Sequence, residues 1–183
     1  MKKTVLLTAG LALIIAAGAY FYTGNGSREG AASDSALDTT ALKQMVQDYS
    51  SRTLTAESAS ISSTQLIVKE TDGKSASYSL PEDEFFVSIA PYVNKTHPCA
   101  IHSLTGCQGE LVEEEFSVSV QDAEGNQVMD RQTVKSQPNG FIDLWLPRDK
   151  TYNVTIEQNG KKAESEISTF EQNDTCVATM QLD

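Results

Sequence analysis

The chain has 183 residues, 14 basic and 25 acidic side chains, and a formal net charge of -11 at neutral pH. A surface this acidic repels phosphates and lacks the lysine and arginine clusters that bind them, which excludes nucleic acid as a partner. After an N-terminal leader, about 150 residues remain, enough for one ordinary domain or two small ones.

Residues 1–23 have the layout of an export signal. Two lysines precede an uncharged apolar run over residues 5–22. Small residues favour cleavage after Ala19, but the run is also long enough to remain as an uncleaved membrane anchor. Either alternative places the rest of the chain outside the cytoplasm. Residues 24–35 are rich in Gly, Ala and Ser and predict a flexible linker.

Residues 36–112 are predicted to form an N-terminal domain with one helix and a small sheet. Apolar residues at three- and four-residue spacing predict a helix over 38–49, whereas the Ser- and Thr-rich residues 50–60 predict a loop. Alternating runs on either side of Asp72-Gly73 predict a β-hairpin. A third strand is expected over residues 84–90.

Residues 113–183 show a different pattern, with six or seven short alternating runs separated by turn residues. The last of these runs extends from Cys176 to Leu182. Strands at such regular spacing predict an antiparallel sandwich, similar to transthyretin-like or immunoglobulin-like modules. The expected fold class is therefore mainly β, with two small antiparallel β domains and a small α+β part at the N-terminal end.

The segment from His97 to Glu110 contains two of the three cysteines and both histidines of the chain. Cys99 and His102 are three residues apart, Cys107 follows five residues later, and nearby Pro and Gly residues let the loop fold back on itself. Thiolates select Cu(I) and zinc, and imidazole suits both metals. A soft-metal site is one interpretation. A Cys99–Cys107 disulfide, with the histidines on the surface, is the alternative in an oxidising compartment.

Cys176 lies about 70 residues from this loop, and its role is open on spacing alone. It would be a third metal ligand if the C-terminal domain docks against the loop, or a small apolar residue of the core if it does not. Met129 and Met180 offer thioethers, but both lie in strand patterns typical of core residues. Two thiols can also give up two electrons to Cu(II) and form a disulfide.

Three stretches of the sequence resemble the CueP family of periplasmic copper-binding proteins. They are FFVSIAPYVNKTHPCAIHSLTGCQGELVEEEFSVSVQDAEGN, then NGFIDLWLPR, then DTCVATMQL. The resemblance places the three cysteines of the family on Cys99, Cys107 and Cys176, and the histidine inside the first cysteine pair on His102. These four residues are the metal ligands that it implies.

The resemblance implies a periplasmic copper-resistance protein that binds Cu(I) rather than zinc, reduces Cu(II) with its thiols and supplies copper to a periplasmic superoxide dismutase. It also implies two β-rich domains and a homodimer. Contact with the membrane is expected only through the N-terminal segment. The alternatives are a thiol–disulfide redox protein, in which Cys99 and Cys107 are the reacting thiols, and a structural or interaction module stapled by one disulfide.

Overall fold

A computed structural model of the protein describes residues 33–34 and 37–183, and these residues are predominantly β. The single helix of this part is α1 (Thr39–Ser50). The strands, in chain order, are β1 (Ser33–Asp34), β2 (Ser58–Ile61), β3 (Gln65–Lys69), β4 (Ser75–Ser79), β5 (Glu84–Ile89), β6 (His102–Ser103), β7 (Glu115–Asp122), β8 (Gln127–Lys135), β9 (Ile142–Pro147), β10 (Thr151–Gln158), β11 (Lys161–Ser168) and β12 (Cys176–Val177). The predicted mainly β class, with one small N-terminal helix and antiparallel sheets, is confirmed.

The predicted leader, residues 1–23, lies outside the described residues, as do its cleavage site and the alternative of a membrane anchor. The predicted linker, residues 24–35, also lies outside them except for 33–34, which form β1. Across residues 33–34 and 37–183, no helix is both long and apolar enough to span a bilayer.

Helix α1 begins one residue later than predicted because Asp38 caps it rather than joining it. The Asp38 side chain accepts a hydrogen bond from the backbone N–H of Ala41 over 2.9 Å, as expected of an N-cap carboxylate. The predicted apolar face is buried through Leu42, Val46 and Tyr49. It packs on the first sheet, whose strand order is β1-β4-β3-β2-β6.

The first sheet contains one strand where the sequence predicts a loop. The predicted hairpin is present, with β3 antiparallel to β4 and Gly73 at a φ of 86° in its turn. However, β2 lies within the predicted loop region and pairs antiparallel with β3. Ala59 and Ile61 of β2 are fully buried, while the serines between them face outward. Packing against the sheet therefore overrides the weak strand propensity of a Ser- and Ala-rich segment.

The three-stranded sheet has β5 in its centre, antiparallel to β9 and parallel to β12. Phe85, Val87 and Ile89 point into the core shared with the C-terminal strands, whereas Phe86 belongs to the core beneath α1. A strand buried on both faces reads as a continuous apolar run, and each such large side chain contributes about 1.5–3 kcal/mol on burial.

The remaining sheet has the order β11-β10-β7-β8 and shares a core with the three-stranded sheet. Its inward residues alternate with exposed ones, as in β7, where Phe116, Val118 and Val120 are buried. The last predicted strand is shorter than expected: pairing stops at Val177 and continues only as an isolated bridge between Tyr92 and Gln181. The sandwich type remains a prediction.

The described residues fall in one compact unit. The five-stranded sheet and the four-stranded sheet lie on opposite sides of the predicted boundary between residues 112 and 113. The three-stranded sheet crosses that boundary, because β5 comes from before it and β9 and β12 come from after it. The two predicted domains thus share a sheet at β5.

Candidate metal centre

The loop that carries the first cysteine pair folds back on itself through a tight turn. The backbone N–H of Cys107 donates to the carbonyl of Ser103 over 2.9 Å, and the N–H of Gly106 donates to Ser103 Oγ over 3.0 Å. This turn brings the sulfur of Cys107 to 3.4 Å from the sulfur of Cys99. All three cysteines lie in the described part of the chain and carry free thiols.

Cys176 is brought to this pair by strand β12. The backbone N–H groups of Thr175 and Cys176 both donate to the carbonyl of Ala100, over 3.0 and 3.1 Å. The Thr175 hydroxyl also accepts from the N–H of His102 over 3.0 Å and donates to the carbonyl of Ile61 over 2.6 Å. The final strand is therefore fastened directly to the loop, and Cys176 is buried beside it.

His102 lies on β6 and is completely buried, rather than on the surface as the disulfide alternative expects. Its Nε2 lies 3.3 Å from Ser88 Oγ, while its Nδ1 has no hydrogen-bond partner among the described residues. Ligand atoms of His102, Cys107 and Cys176 all lie within 4.8 Å of one another. A buried nitrogen without a partner beside two thiols has the arrangement of a ligand awaiting a metal.

His97 is the residue that sequence reasoning left out of the ligand set. Its Nε2 is buried without a hydrogen-bond partner in the part of the chain described, and ligand atoms of His97, Cys99 and Cys107 lie within 4.8 Å of one another. Cys107 thus belongs to an inner group with His102 and Cys176 and to a less buried outer group with His97 and Cys99. The signal in the sequence was the position of His97 two residues before Cys99.

The three thiols differ in how readily they lose a proton. The pKa of Cys107 is lowered chiefly by the hydrogen bond from the Cys176 thiol, with further help from His102, the Ser103 N–H and His97, all against the effect of burial. The pKa of Cys176 is raised by donating that hydrogen bond and by burial. Burial is the main cause of the raised pKa of Cys99. One thiolate is therefore ready in the cluster, and an arriving metal would displace the remaining protons.

Solvent reaches the cluster from one side. A groove of about 380 Å³ is lined by residues that include His97, Cys99, Asp174 and Cys176. On the inner side, Cys176 packs with Ala90 and Phe141, and the Phe141 ring lies 4.5 Å from the imidazole of His102. The site has an open side for a metal to enter and an apolar floor that shields bound metal from water.

The donor set fits copper in its reduced state. Three sulfurs and two imidazoles are soft or borderline ligands, which suit Cu(I) and zinc and do not suit magnesium or calcium. The orphaned ring nitrogens of His97 and His102 point to the same conclusion. Fold and site together define a mainly β protein with a clustered thiol and imidazole site for a soft metal ion.

Comparison with known proteins gives the family. The family model described as "Periplasmic copper-binding protein CueP" matches residues 40–181. A solved structure described as "Crystal Structure of S.CueP" is 36% identical, with a TM-score of 0.72, and the match covers 78% of this chain and 89% of that one. A search of curated proteins finds no match. The chain belongs to the CueP family of periplasmic copper-binding proteins.

Membership confirms the family that the sequence resembles, together with copper as its metal and the periplasm as its compartment. The ligand set of Cys99, Cys107, Cys176 and His102 stays a prediction, as do the Cu(I) oxidation state, the transfer of copper to another protein and the homodimer.

Proposed function

We propose that this protein holds Cu(I) through the thiolates of Cys99, Cys107 and Cys176, with His102 as a neighbouring nitrogen ligand, and that it serves copper resistance in the periplasm. The observation that carries the proposal is the meeting of the three sulfurs. Cys99 and Cys107 lie 3.4 Å apart, and two hydrogen bonds to Ala100 hold the strand of Cys176 against them. Thiolates in low coordination number favour Cu(I) over harder ions.

The same thiols can reduce the incoming metal. Two Cu(II) ions accept one electron each from the thiols of Cys99 and Cys107, which form one disulfide and release two protons. The separation of 3.4 Å requires only a small approach of the two sulfurs to the bonding distance of about 2.05 Å. The ready thiolate at Cys107 provides the first electron donor. Repeated turnover needs an external thiol reductant to reopen the disulfide.

The groove at Cys99 and Cys176 gives a second protein access to bound copper. In this proposal the recipient is a periplasmic copper enzyme such as a superoxide dismutase, and transfer proceeds by exchange of thiolate ligands at the open side of the site.

Competition for Cu(I) with a coloured chelator, on the reduced protein, tests the ligand set. Cys107→Ser and Cys176→Ser should each weaken Cu(I) binding by at least the about 10–100-fold that loss of an outer-shell partner typically costs. Met129→Leu is the matched control, because it removes a sulfur remote from the cluster and should leave the affinity unchanged. An unchanged affinity in either serine variant would contradict the three-thiolate site.

Counting free thiols before and after anaerobic exposure to Cu(II) tests the reduction. We expect two thiols to disappear for every two Cu(I) ions that a Cu(I)-specific chelator detects. Cys176→Ser should keep this stoichiometry, whereas Cys99→Ser should lose it. A constant thiol count with no Cu(I) formed would rule out thiol-dependent reduction.

A thiol–disulfide redox protein is the second candidate, and the 3.4 Å separation of two sulfurs is the observation that favours it. In that case the Cys99–Cys107 disulfide would exchange with external thiols at the same rate with and without copper. A disulfide that resists mild reductant, in protein that binds no Cu(I), would instead support a stapled structural module.

A further inference from the structure

Asp143 ends a chain of hydrogen bonds that reaches His102. Asp143 on β9 lies directly opposite Ser88 on β5. The Ser88 hydroxyl donates to Asp143 Oδ1 over 2.6 Å, and Ser88 Oγ lies 3.3 Å from Nε2 of His102. We call these three side chains the Asp143–Ser88–His102 relay.

The donor and acceptor roles in the relay follow from elementary chemistry. A carboxylate only accepts hydrogen bonds, so the single hydroxyl hydrogen of Ser88 is directed at Asp143. Ser88 Oγ then has only lone pairs left for His102, and its contact with Nε2 requires a hydrogen on Nε2. In a neutral imidazole with that hydrogen, the lone pair lies on Nδ1.

We infer that Asp143, acting through Ser88, is a positioning residue that holds His102 in the Nε2–H tautomer and presents the Nδ1 lone pair to copper. Three observations support this inference. Nδ1 is buried with no partner in the described chain, it lies on a ring whose ligand atom is within 4.8 Å of the Cys107 and Cys176 sulfurs, and Phe141 packs 4.5 Å from that ring. Second-shell carboxylates commonly orient metal-binding histidines in this way.

The carboxylate is itself held from a second side. Ser50, the last residue of α1, donates to Asp143 Oδ2 over 2.5 Å. Ser50 and Ser88 are both fully buried, so the relay connects the end of the helix to the metal site through the interior. Because Ser50 contacts only the other oxygen of the carboxylate, its removal leaves the bond from Asp143 to Ser88 in place and offers a matched control.

The tautomer can be read directly in the reduced, metal-free full chain. Long-range ¹H–¹⁵N spectra of histidine side chains distinguish a hydrogen on Nε2 from one on Nδ1, and we expect His102 to carry it on Nε2. In Asp143→Ala, the Ser88 hydroxyl is free to donate to Nε2, so His102 should shift toward the Nδ1–H form. Asp143→Asn keeps an acceptor oxygen, and Ser50→Ala keeps the carboxylate, so both should retain the wild-type signals.

A wild-type His102 with its hydrogen on Nδ1 would overturn the inference without any variant. Unchanged His102 signals in a folded Asp143→Ala protein would overturn it as well. If that variant does not fold, Ser88→Ala decides: loss of the hydroxyl should give a mixture of tautomers, and retention of pure Nε2–H would contradict the relay.

The consequence for copper rests on the proposed function and is measured separately. Asp143→Ala should weaken Cu(I) binding about tenfold, the lower end of the range for a second-shell loss, while Ser50→Ala should not. A switched tautomer with unchanged Cu(I) affinity would overturn the copper part of the inference. Failure of the cysteine variants to change affinity would instead contradict the proposed function, with the tautomer result unaffected.

Discussion

Cys107 differs from the other two cysteines in what surrounds its sulfur. It accepts a hydrogen bond from the backbone N–H of Ser103 over 3.4 Å and lies in both groups of metal-ligating side chains. The thiol of Cys176 donates to it, which lowers the pKa of Cys107 and raises the pKa of Cys176. The first thiolate of the cluster therefore forms at Cys107, at the point shared by the inner and outer ligand groups.

We expect alkylation to distinguish these sulfurs. Since only the thiolate reacts, Cys107 should stay reactive toward iodoacetamide as the pH falls from about 8.5 to about 6, whereas labelling of Cys176 should decline. Peptide mass spectrometry after short pulses on the reduced, metal-free protein measures both sites at once. Equal labelling of the two residues at the lower pH would contradict the assignment. In Cys107→Ser, labelling at that pH should largely disappear.

Residues close together in the sequence were predictable as a site, and distant ones were not. Cys99, His102 and Cys107 form a recognisable group because a short loop limits how far apart they can lie. Asp143 gave no sign of its partners, since Ser50 and Ser88 are 93 and 55 positions away along the chain. Pairing of that range depends on sheet topology, which a single sequence does not encode locally.

At the scale of elements, Glu110 holds the two ends of the cysteine loop together. Its carboxylate accepts from the N–H groups of Val93, Asn94 and Lys95 over 2.7, 2.8 and 3.2 Å, and from the Asn94 side chain over 3.1 Å. These hydrogen bonds lower the pKa of Glu110 from 4.5 to about 2. The carboxylate thus replaces strand pairing in a stretch with no regular partner.

Glu110→Gln should lower stability at neutral pH and flatten its dependence on acid. A depressed folded-state pKa contributes stability that is fully present above the unfolded value of 4.5 and is lost as the pH falls toward about 2. Urea unfolding at a series of pH values measures this window. Glu171→Gln, which removes an exposed carboxylate, should keep the wild-type profile. A Glu110→Gln profile parallel to wild type would contradict the role of Glu110.

The turn after the loop lies against the turn before β9 with no room for side chains. A Cβ on Gly109 would lie 2.5 Å from the carbonyl oxygen of Gly140, and the N–H of Gly109 donates to the carbonyl of Asn139 over 2.7 Å. This close approach anchors the chain two residues after Cys107. It is a contact between backbones that only glycine permits.

Gly109→Ala should therefore destabilise the protein by about 1–3 kcal/mol, the usual cost of overpacking, and weaken Cu(I) binding by moving Cys107. Gly73→Ala is the matched control: it carries a strained φ of 86° but meets nothing within 4 Å, so it should cost stability without changing Cu(I) affinity. Urea unfolding and chelator competition measure the two effects. Wild-type values for Gly109→Ala in both measurements would show that the turns can separate freely.

The predictability of elements follows the same division. Strands with strong alternation, such as β7 and β10, were predictable because one face is buried and the other is not. Strand β2 was not, because serine and alanine carry little intrinsic preference and only the neighbouring strand selects them. Strand β12 was predicted too long, because Tyr92 pairs with Gln181 only as an isolated bridge.

For the whole molecule, β5 is the strand on which both cores depend. One of its faces contributes to the core beneath α1 and the other to the core of the C-terminal strands. Trp145 of β9 packs against Phe86 of β5, with ring centroids 5.2 Å apart. Loss of either core would expose a face of the same strand, which couples their unfolding.

We therefore expect a single cooperative unfolding transition in urea for the reduced, metal-free protein. Trp145 fluorescence and far-ultraviolet circular dichroism should give the same midpoint. Leu66→Ala in one core and Val154→Ala in the other should each lower that shared midpoint for both probes, with Leu66→Ala costing about 2–5 kcal/mol. Two separate midpoints would show instead that the two predicted domains unfold independently.

The parallel pairing of β12 with β5 also has a consequence for biogenesis. Cys176 is followed by only seven residues, so it is among the last parts of the chain to leave the ribosome. A nascent or prematurely terminated chain presents Cys99 and Cys107 without their third sulfur, and β12 has not yet joined the loop. Completion of the polypeptide and assembly of the thiol trio are thus the same event, and truncated products lack the complete trio.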